Sequence, residues 1–281
     1  MKKTFTITAQ CVVKNEQTYF GYALQSVIDY MDRVIIFDTG STDNTPQIAR
    51  EFVKKYPDKV EFYEKEPPEF WPKHSEYRQE QLAITTTDWF MILDGDEVWT
   101  KRGIEEAMHL IEEQGKNLNA ISVDCFLCTG DIFHDHNRKL MAKINGIVDL
   151  RLTRFYKVYP GEMYWVCRPE LAHSDFIRNG KLICDDKEHH VYLKNKMWHM
   201  THLRRSDMDD NDMTSNRVEE TRKTKRRDSY FIIGEKIREP LPEVFDEVFK
   251  KKNRVSALRS FINFWPYFYT KVRRKFIRTK T

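Results

Sequence analysis

Residues 34–52 read VIIFDTGSTDNTPQIAREF, and the fold turns on how that stretch is parsed. Val34, Ile35, Ile36 and Phe37 form an unbroken apolar run, the pattern of a strand buried on both faces in a parallel sheet. Gly40 permits a sharp turn, Thr45 is the expected cap of a following helix, and Pro46 suits its first position. Ile48, Ala49, Phe52, Val53 and Tyr56 then recur on one helical face. This parsing leaves Asp38 unexplained. A carboxylate at the C-terminal edge of a buried strand is costly without a partner, and in open α/β sheets that edge is where ligands bind.

The same alternation extends in both directions and predicts βαβ units. Residues 4–13 read as a first strand, with Phe20, Leu24, Val27, Ile28 and Met31 on one face of the next helix. Residues 59–64 read as a third strand, followed by a loop, KEPPEFWPK, whose prolines argue against regular structure. A helix is expected over 75–85, and then TDWFMILDGDEVW runs a fourth apolar strand into Asp94, Asp96 and Glu97. After a helix at 102–114 the pattern turns β-like, through NAISVDCFL, LRLTRFYKV, EMYWVC, HHVYL and KMWHMTH. Beyond Arg205 the chain is strongly charged and reads as helical.

With 281 residues, 40% hydrophobic and 32% charged, the chain is sized for one large core, or one core plus an appendage. No apolar run approaches the roughly eighteen residues of a membrane span. The N-terminus reads as a strand and not as a signal peptide, so a cytoplasmic protein is expected, with peripheral contact to the inner face of a membrane. Five cysteines form an odd, scattered set without a disulfide framework, and Cys125 and Cys128 read as ordinary residues near a strand end. The net charge of +4 conceals an asymmetry: residues 254–281 carry eight Lys or Arg and no acid, leaving 39 basic and 43 acidic residues before them.

Like charges packed at a strand end repel unless a cation holds them, so DGDE suggests a divalent metal. CVVKNE, FDTGSTDNT, Arg78 in the helix before the fourth strand, and DWFMILDGDE stand in the order and spacing of family-2 glycosyltransferases of the GT-A fold, which residues 8–100 resemble well. RLTRFYK (151–157) and WHMTHLRR (198–205) resemble later elements of that family. The resemblance implies a Rossmann-like mixed sheet with helices on both faces, spanning 1–205. Residues 1–100 would form the nucleotide-sugar half and 101–205 the acceptor half, followed by a basic helical extension over 206–281. It implies that Val12, Asn15, Glu16, Asp38, Arg78, Asp94, Gly95 and Asp96 bind a nucleotide sugar, with Asp38 on the base and Arg78 near the diphosphate. It further implies Mn²⁺ or Mg²⁺ held by Asp96, Asp94 and His199, with His202 the other histidine on offer. In relatives a His-Glu pair follows the Arg-Phe strand. Here CRPEL keeps the acid as Glu170 and replaces the histidine with Pro169, so Glu170 is the first candidate for the catalytic base and Asp175 the second.

Asp131, His134 and Asp135 are expected on the acceptor side, and HDH with His189 and His190 lacks zinc-finger spacing. Two other readings remain: carbohydrate or nucleotide binding without turnover, and action on nucleic acid through TRKTKRR (221–227) and the basic tail. The tail also holds seven aromatic residues between Phe261 and Phe276, a composition suited to an anionic membrane surface or to packing against the catalytic domain or a second subunit.

Overall fold

The computed structural model describes residues 3–67, 71–135, 151–168, 173–201, 203–206 and 235–254. Along the first half, β1 (Ile7–Val13), α1 (Phe20–Val27), β2 (Arg33–Asp38), α2 (Thr45–Lys55), β3 (Val60–Glu64), α3 (Trp71–Ala83) and β4 (Trp89–Ile92) alternate as the sequence predicts. There follow β5 (Glu97–Val98), α4 (Lys101–Gln114), β6 (Ala120–Val123), β7 (Cys125–Leu127), β8 (His134–Asp135), β9 (Leu152–Lys157), β10 (Met163–Arg168), β11 (His173–Arg178), β12 (Lys181–Leu182), β13 (His190–Tyr192), β14 (Met197–His199), β15 (Glu235–Lys236) and α5 (Glu247–Lys252).

The main sheet runs β13-β6-β9-β4-β1-β2-β3. Strands β1 to β4 are mutually parallel, and β9 enters antiparallel between β4 and β6. Every residue of β1 is buried, as expected of a strand covered on both sides. Ile7, Ala9, Cys11 and Val13 face the main core, with Phe20 and Leu24 of α1, Ala49 of α2, and Ile104 and Ile111 of α4. The opposite face carries Val12, Ile35 and Phe37 against Tyr77 of α3, and Phe90, Ile92 and Tyr156 against Leu82 of α3 and Phe176 of β11. This period-2 alternation fixes the register, because a slip of one residue would exchange the two faces.

A smaller sheet, β5-β14-β7, joins the end of the fourth strand to the WHMTH segment, pairing His199 with Glu97. Among the described residues of the C-terminal part, β15 pairs with β8, and Phe245 and Phe249 pack in the main core against Tyr19 and Tyr22. Residues 235–254 are therefore docked on the main core. Residues 207–234 and 255–281, which include the TRKTKRR stretch and nearly all of the basic tail, lie outside the described residues. No helix among the described residues is long and apolar enough to cross a membrane.

Three local expectations change. Helix α3 begins at Trp71, inside the stretch read as a loop, because Pro72 falls in the first turn, where a missing N–H costs nothing. Glu235–Lys236, read as helical, pairs as a strand instead, since β8 offers it a partner. Thr45 is the first residue of α2 and not its cap. Its N–H is taken by Asp43 Oδ1 at 2.9 Å, and its hydroxyl accepts the backbone N–H of Glu16 at 2.8 Å.

Candidate active site

Strand β1 has β2 on one side and β4 on the other, so the chain's path reverses direction across the sheet at β1, and the crevice lies beyond the strands' C-terminal ends. The polar run that follows Phe37 laces the loops after β1 and β2 together. Ser41 Oγ accepts from Asn15 N at 2.9 Å, Asn15 Oδ1 accepts from Thr42 N at 2.8 Å, Asp43 Oδ2 accepts from Gln17 N, and Gln17 Oε1 accepts from Asn44 N. Asn15 adopts φ 53°, a left-handed conformation that asparagine tolerates better than most residues. Gly40 has φ 87°, and a Cβ there would fall 2.5 Å from Pro67. Asp38 is 3% exposed, and its Oδ1 accepts from the N–H groups of Gly40 and Ser41. Its Oδ2 is buried without a hydrogen-bond partner among the described atoms.

The second strand end is organised by charge. Asp94 lies between two buried arginines, its Oδ1 2.7 Å from Arg78 and its Oδ2 2.9 Å from Arg154. Arg154, on β9, also grips Glu97 through Nε, at 3.0 and 2.9 Å to the two carboxylate oxygens, and through a further close contact from NH2. Arg78 additionally donates to the carbonyl of Gln10 on β1. Asp96 has His199 Nε2 at 3.5 Å from Oδ1 and Arg205 at 3.5 Å from Oδ2, and Arg205 also reaches Glu16 Oε1 at 2.5 Å. Gly95 is required by a close approach: a Cβ on it would meet Glu16 Cγ at 2.7 Å.

These contacts set the ionisation of the cluster. Burial alone would raise both aspartates, but Arg154 and Arg78 outweigh it at Asp94. His199 and Arg205 outweigh it at Asp96, so both carboxyls lie below the usual range. Burial prevails at Glu97 over Arg154, and at Glu16 over Arg205, so both of those carboxyls are raised. Burial also works against charging His199, yet the Asp96 carboxylate holds its pKa well above the ordinary value.

Asn15, Glu16, Asp38, Arg78, Asp94, Gly95, Asp96 and His199 thus gather at adjoining strand ends. Val12 sits lower in β1, 8% exposed and packed with Phe37 and Tyr77. Arg78 is not engaged by Glu80, which pairs with Lys65. Asp175 is not brought to the cluster: it is 1% exposed and accepts hydrogen bonds from Tyr156 Oη, Phe176 N and Cys184 N. Glu170 and His202 lie outside the described residues. Asp131 holds His134 Nδ1 at 2.6 Å in the turn before β8. Cys125 and Cys128 are free and buried. The organising roles of Arg154 and Arg205 were not read from the sequence. An arginine directly followed by Phe155 and Tyr156 in a strand is a charge that needs a buried partner, and that signal could have found Arg154.

The donor set fits a divalent cation in part. No group of three or more His, Cys, Asp or Glu is arranged to hold a metal among the described residues. Asp94 has both oxygens committed to arginines. Asp96 and His199 are a hard carboxylate and an imidazole, separated by more than a charge-assisted hydrogen bond, and Mg²⁺ or Mn²⁺ needs only one or two protein ligands when a substrate phosphate supplies the rest.

The profile of Glycosyl transferase family 2 matches residues 11–169, more than half of the chain. The SPbeta prophage-derived glycosyltransferase SunS of Bacillus subtilis (strain 168) is 30% identical over 152 residues, which cover 52% of this chain and 33% of SunS. A TPR repeat-containing protein of Synechococcus elongatus is 34% identical over 97 residues, 32% of this chain and 21% of that protein. The chain matches a third or less of the length of these curated relatives. Among solved structures, S. aureus TarS 1-349 superposes with TM-score 0.46 at 16% identity, covering 69% of this chain and 60% of that one. Glucosyl-3-phosphoglycerate synthase from Mycobacterium tuberculosis, in complex with Mn²⁺, UDP and glucosyl-3-phosphoglycerate, superposes with TM-score 0.40 at 16% identity over 70% of this chain and 72% of that one. The matched span contains the ends of β1, β2 and β4 with every carboxylate of the cluster, and the chain belongs to glycosyl transferase family 2, with the mixed α/β sheet of the GT-A fold.

Proposed function

We propose that the chain is a metal-dependent, inverting glycosyltransferase that moves a sugar from a uridine diphosphate sugar to a hydroxyl on a lipid-linked or cell-surface glycan. The observation that carries this reading is Asp38 Oδ2, a buried acceptor without a partner among the described residues, beside loops whose Asn15, Ser41, Asp43 and Gln17 side chains are already engaged with one another's backbone. Uracil presents one imide N–H donor, and such an acceptor would bind it. Asn15 and Glu16 flank the nucleoside, Arg78 meets the nucleotide and its diphosphate, and Asp94, fixed by its two arginines, reaches the ribose. Asp96 would hold Mn²⁺ or Mg²⁺ together with His199 once the imidazole has released the proton that Asp96 favours, and the cation would neutralise charge on the departing diphosphate. An inverting transfer needs a base for the acceptor hydroxyl. Glu170 takes that role in this reading, since the inward hydrogen bonds of Asp175 leave it no free oxygen.

The experiment is thermal denaturation with UDP and a panel of UDP-sugars, in Mn²⁺ and in chelator. A rise in Tm with Mn²⁺ and none in chelator supports the reading, and equal stabilisation in chelator removes the metal. The basic aromatic tail, residues 254–281, is assigned to an anionic membrane surface, which would bring a lipid-linked acceptor within reach. Sedimentation with anionic liposomes at low salt, comparing the full chain with one ending at Lys252, tests this. If both chains stay in the supernatant, the assignment fails.

A further inference from the structure

Three arginines serve the carboxylate cluster, and one of them is placed differently. Side chains of Arg78 and Arg154 are 3% and 11% exposed and approach Asp94 from within the protein, whereas Arg205 is 43% exposed and covers two carboxylates that are 7% and 4% exposed. The segment that carries it crosses the site after β14. Met200 N donates to the carbonyl of Asp96 at 2.9 Å, and Arg205 O accepts from Thr18 N at 2.9 Å, so the backbone is pinned at both ends while the guanidinium reaches in from the solvent side. Its two contacts are unequal. Glu16 Oε1 at 2.5 Å is a tight ionic hydrogen bond, but Asp96 Oδ2 at 3.5 Å lies beyond the usual charge-assisted range.

We propose that Arg205 is an exchangeable counter-ion: it neutralises Glu16 and Asp96 while the donor is absent, and yields Asp96 to the divalent cation when a diphosphate arrives to accept the guanidinium. This rests on the metal-dependent reading above. A guanidinium and a divalent cation compete for the same carboxylate oxygens. A cation binding alone would have to displace Arg205 and leave its charge beside a second positive charge. The diphosphate removes that penalty, because its paired oxygens suit the forked donors of arginine. Metal and nucleotide therefore favour each other's binding, by the same factor in either direction. Arg78 and Arg154 take no part in the exchange, since both are buried and hold Asp94 from within the protein and not from the solvent side.

The test is calorimetric titration of Mn²⁺ alone, of UDP alone and of UDP in Mn²⁺, with loss of the free Mn²⁺ paramagnetic resonance signal as a second count. It compares wild type, R205Q, R205K and R204Q, the last removing the same charge one residue away. R205Q is expected to bind Mn²⁺ alone about fivefold tighter and UDP in Mn²⁺ about fivefold weaker, so that the coupling contracts, while R204Q changes both by much less. R205K, which keeps the charge without the fork, should hold Mn²⁺ affinity near wild type and still lose UDP affinity. Unchanged or weaker Mn²⁺ binding by R205Q overturns the proposal, as does an equal effect in R204Q or full UDP affinity in R205Q. If wild type binds UDP equally with and without Mn²⁺, the metal-dependent reading itself falls and the exchange falls with it.

Discussion

Two neighbouring strand ends hold their carboxylates by opposite means. At the ends of β1 and β2, Asp38 is held through one oxygen by backbone N–H groups, and the surrounding loops are tied by neutral or singly charged hydrogen bonds among Asn15, Ser41, Thr42 and Asp43. At the end of β4, Asp94, Asp96 and Glu97 are held by Arg78, Arg154, Arg205 and His199, with scarcely any neutral partner. The first arrangement is preformed and leaves one acceptor open, which suits a ligand recognised by shape and hydrogen bonding. The second is charge-compensated in the protein alone, which is the arrangement the proposed exchange of Arg205 relies on. The base and the diphosphate of a nucleotide sugar make these two demands.

The ionic end offers the largest effect. Arg154→Leu leaves Glu97, fully buried, without the arginine paired to it and takes one of two arginines from Asp94. Breaking a buried pair from one side costs on the order of 3–5 kcal/mol, much of it from the carboxylate left behind. Urea unfolding should show this loss, and the double variant Arg154→Leu with Glu97→Leu should recover a large part of it. A loss under about 1 kcal/mol, the range of a surface ion pair, would mean that the cluster is wetter than its burial indicates.

The preformed end predicts a binding defect with little effect on folding. Asp38→Ala should raise the Kd for UDP by about tenfold and leave kcat nearly unchanged, because a base contact is made equally in the ground and transition states. Asp38→Asn sharpens the result. It keeps the shape and offers the turn the same acceptor oxygen, but presents an amide N–H₂ to uracil's own donor, so it should bind no better than alanine. A kcat that falls in step with binding would move Asp38 from recognition to chemistry.

The parallel half of the fold was legible because apolar runs such as Val34–Phe37 and Trp89–Leu93 admit one reading once turn residues bound them. The acceptor half was less so. Strand β11 carries His173, Ser174 and Asp175, whose polarity hides a strand that pairs with β10 and buries Phe176 and Ile177. Within the site, the carboxylates stood out in sequence because each ends an apolar run. Their cations did not, because Arg154 and Arg205 lie 60 and 109 residues beyond Asp94 and Asp96, and only the meeting of β9, β5 and β14 brings them in. Sequence reading therefore supplied a metal for charges that the chain also compensates itself. It likewise gave Thr45 the local job of a cap, when its hydroxyl serves a loop 29 residues away.

That misread threonine provides the smallest and most discriminating test of the comparison. Thr45→Val keeps the branched shape at a fully buried position and removes only the hydroxyl that accepts Glu16 N–H. The lost hydrogen bond, with a backbone donor left unsatisfied, should cost about 1–2 kcal/mol of stability. If the lacing does no more than join two loops, the loss ends there and UDP binds as before. If it shapes the cradle, Glu16 shifts, and with it the packing of Gly95 against Glu16 and the reach of Arg205. UDP affinity in Mn²⁺ should then fall by about threefold, a second effect that unfolding measurements cannot see. We expect both losses, because Glu16 is tied to both strand ends: its N–H to the neutral lacing and its carboxylate to the ionic cluster. A stability loss with unaltered UDP binding would show that the two ends work independently, and the cradle would then owe its shape to the β1 and β2 loops alone.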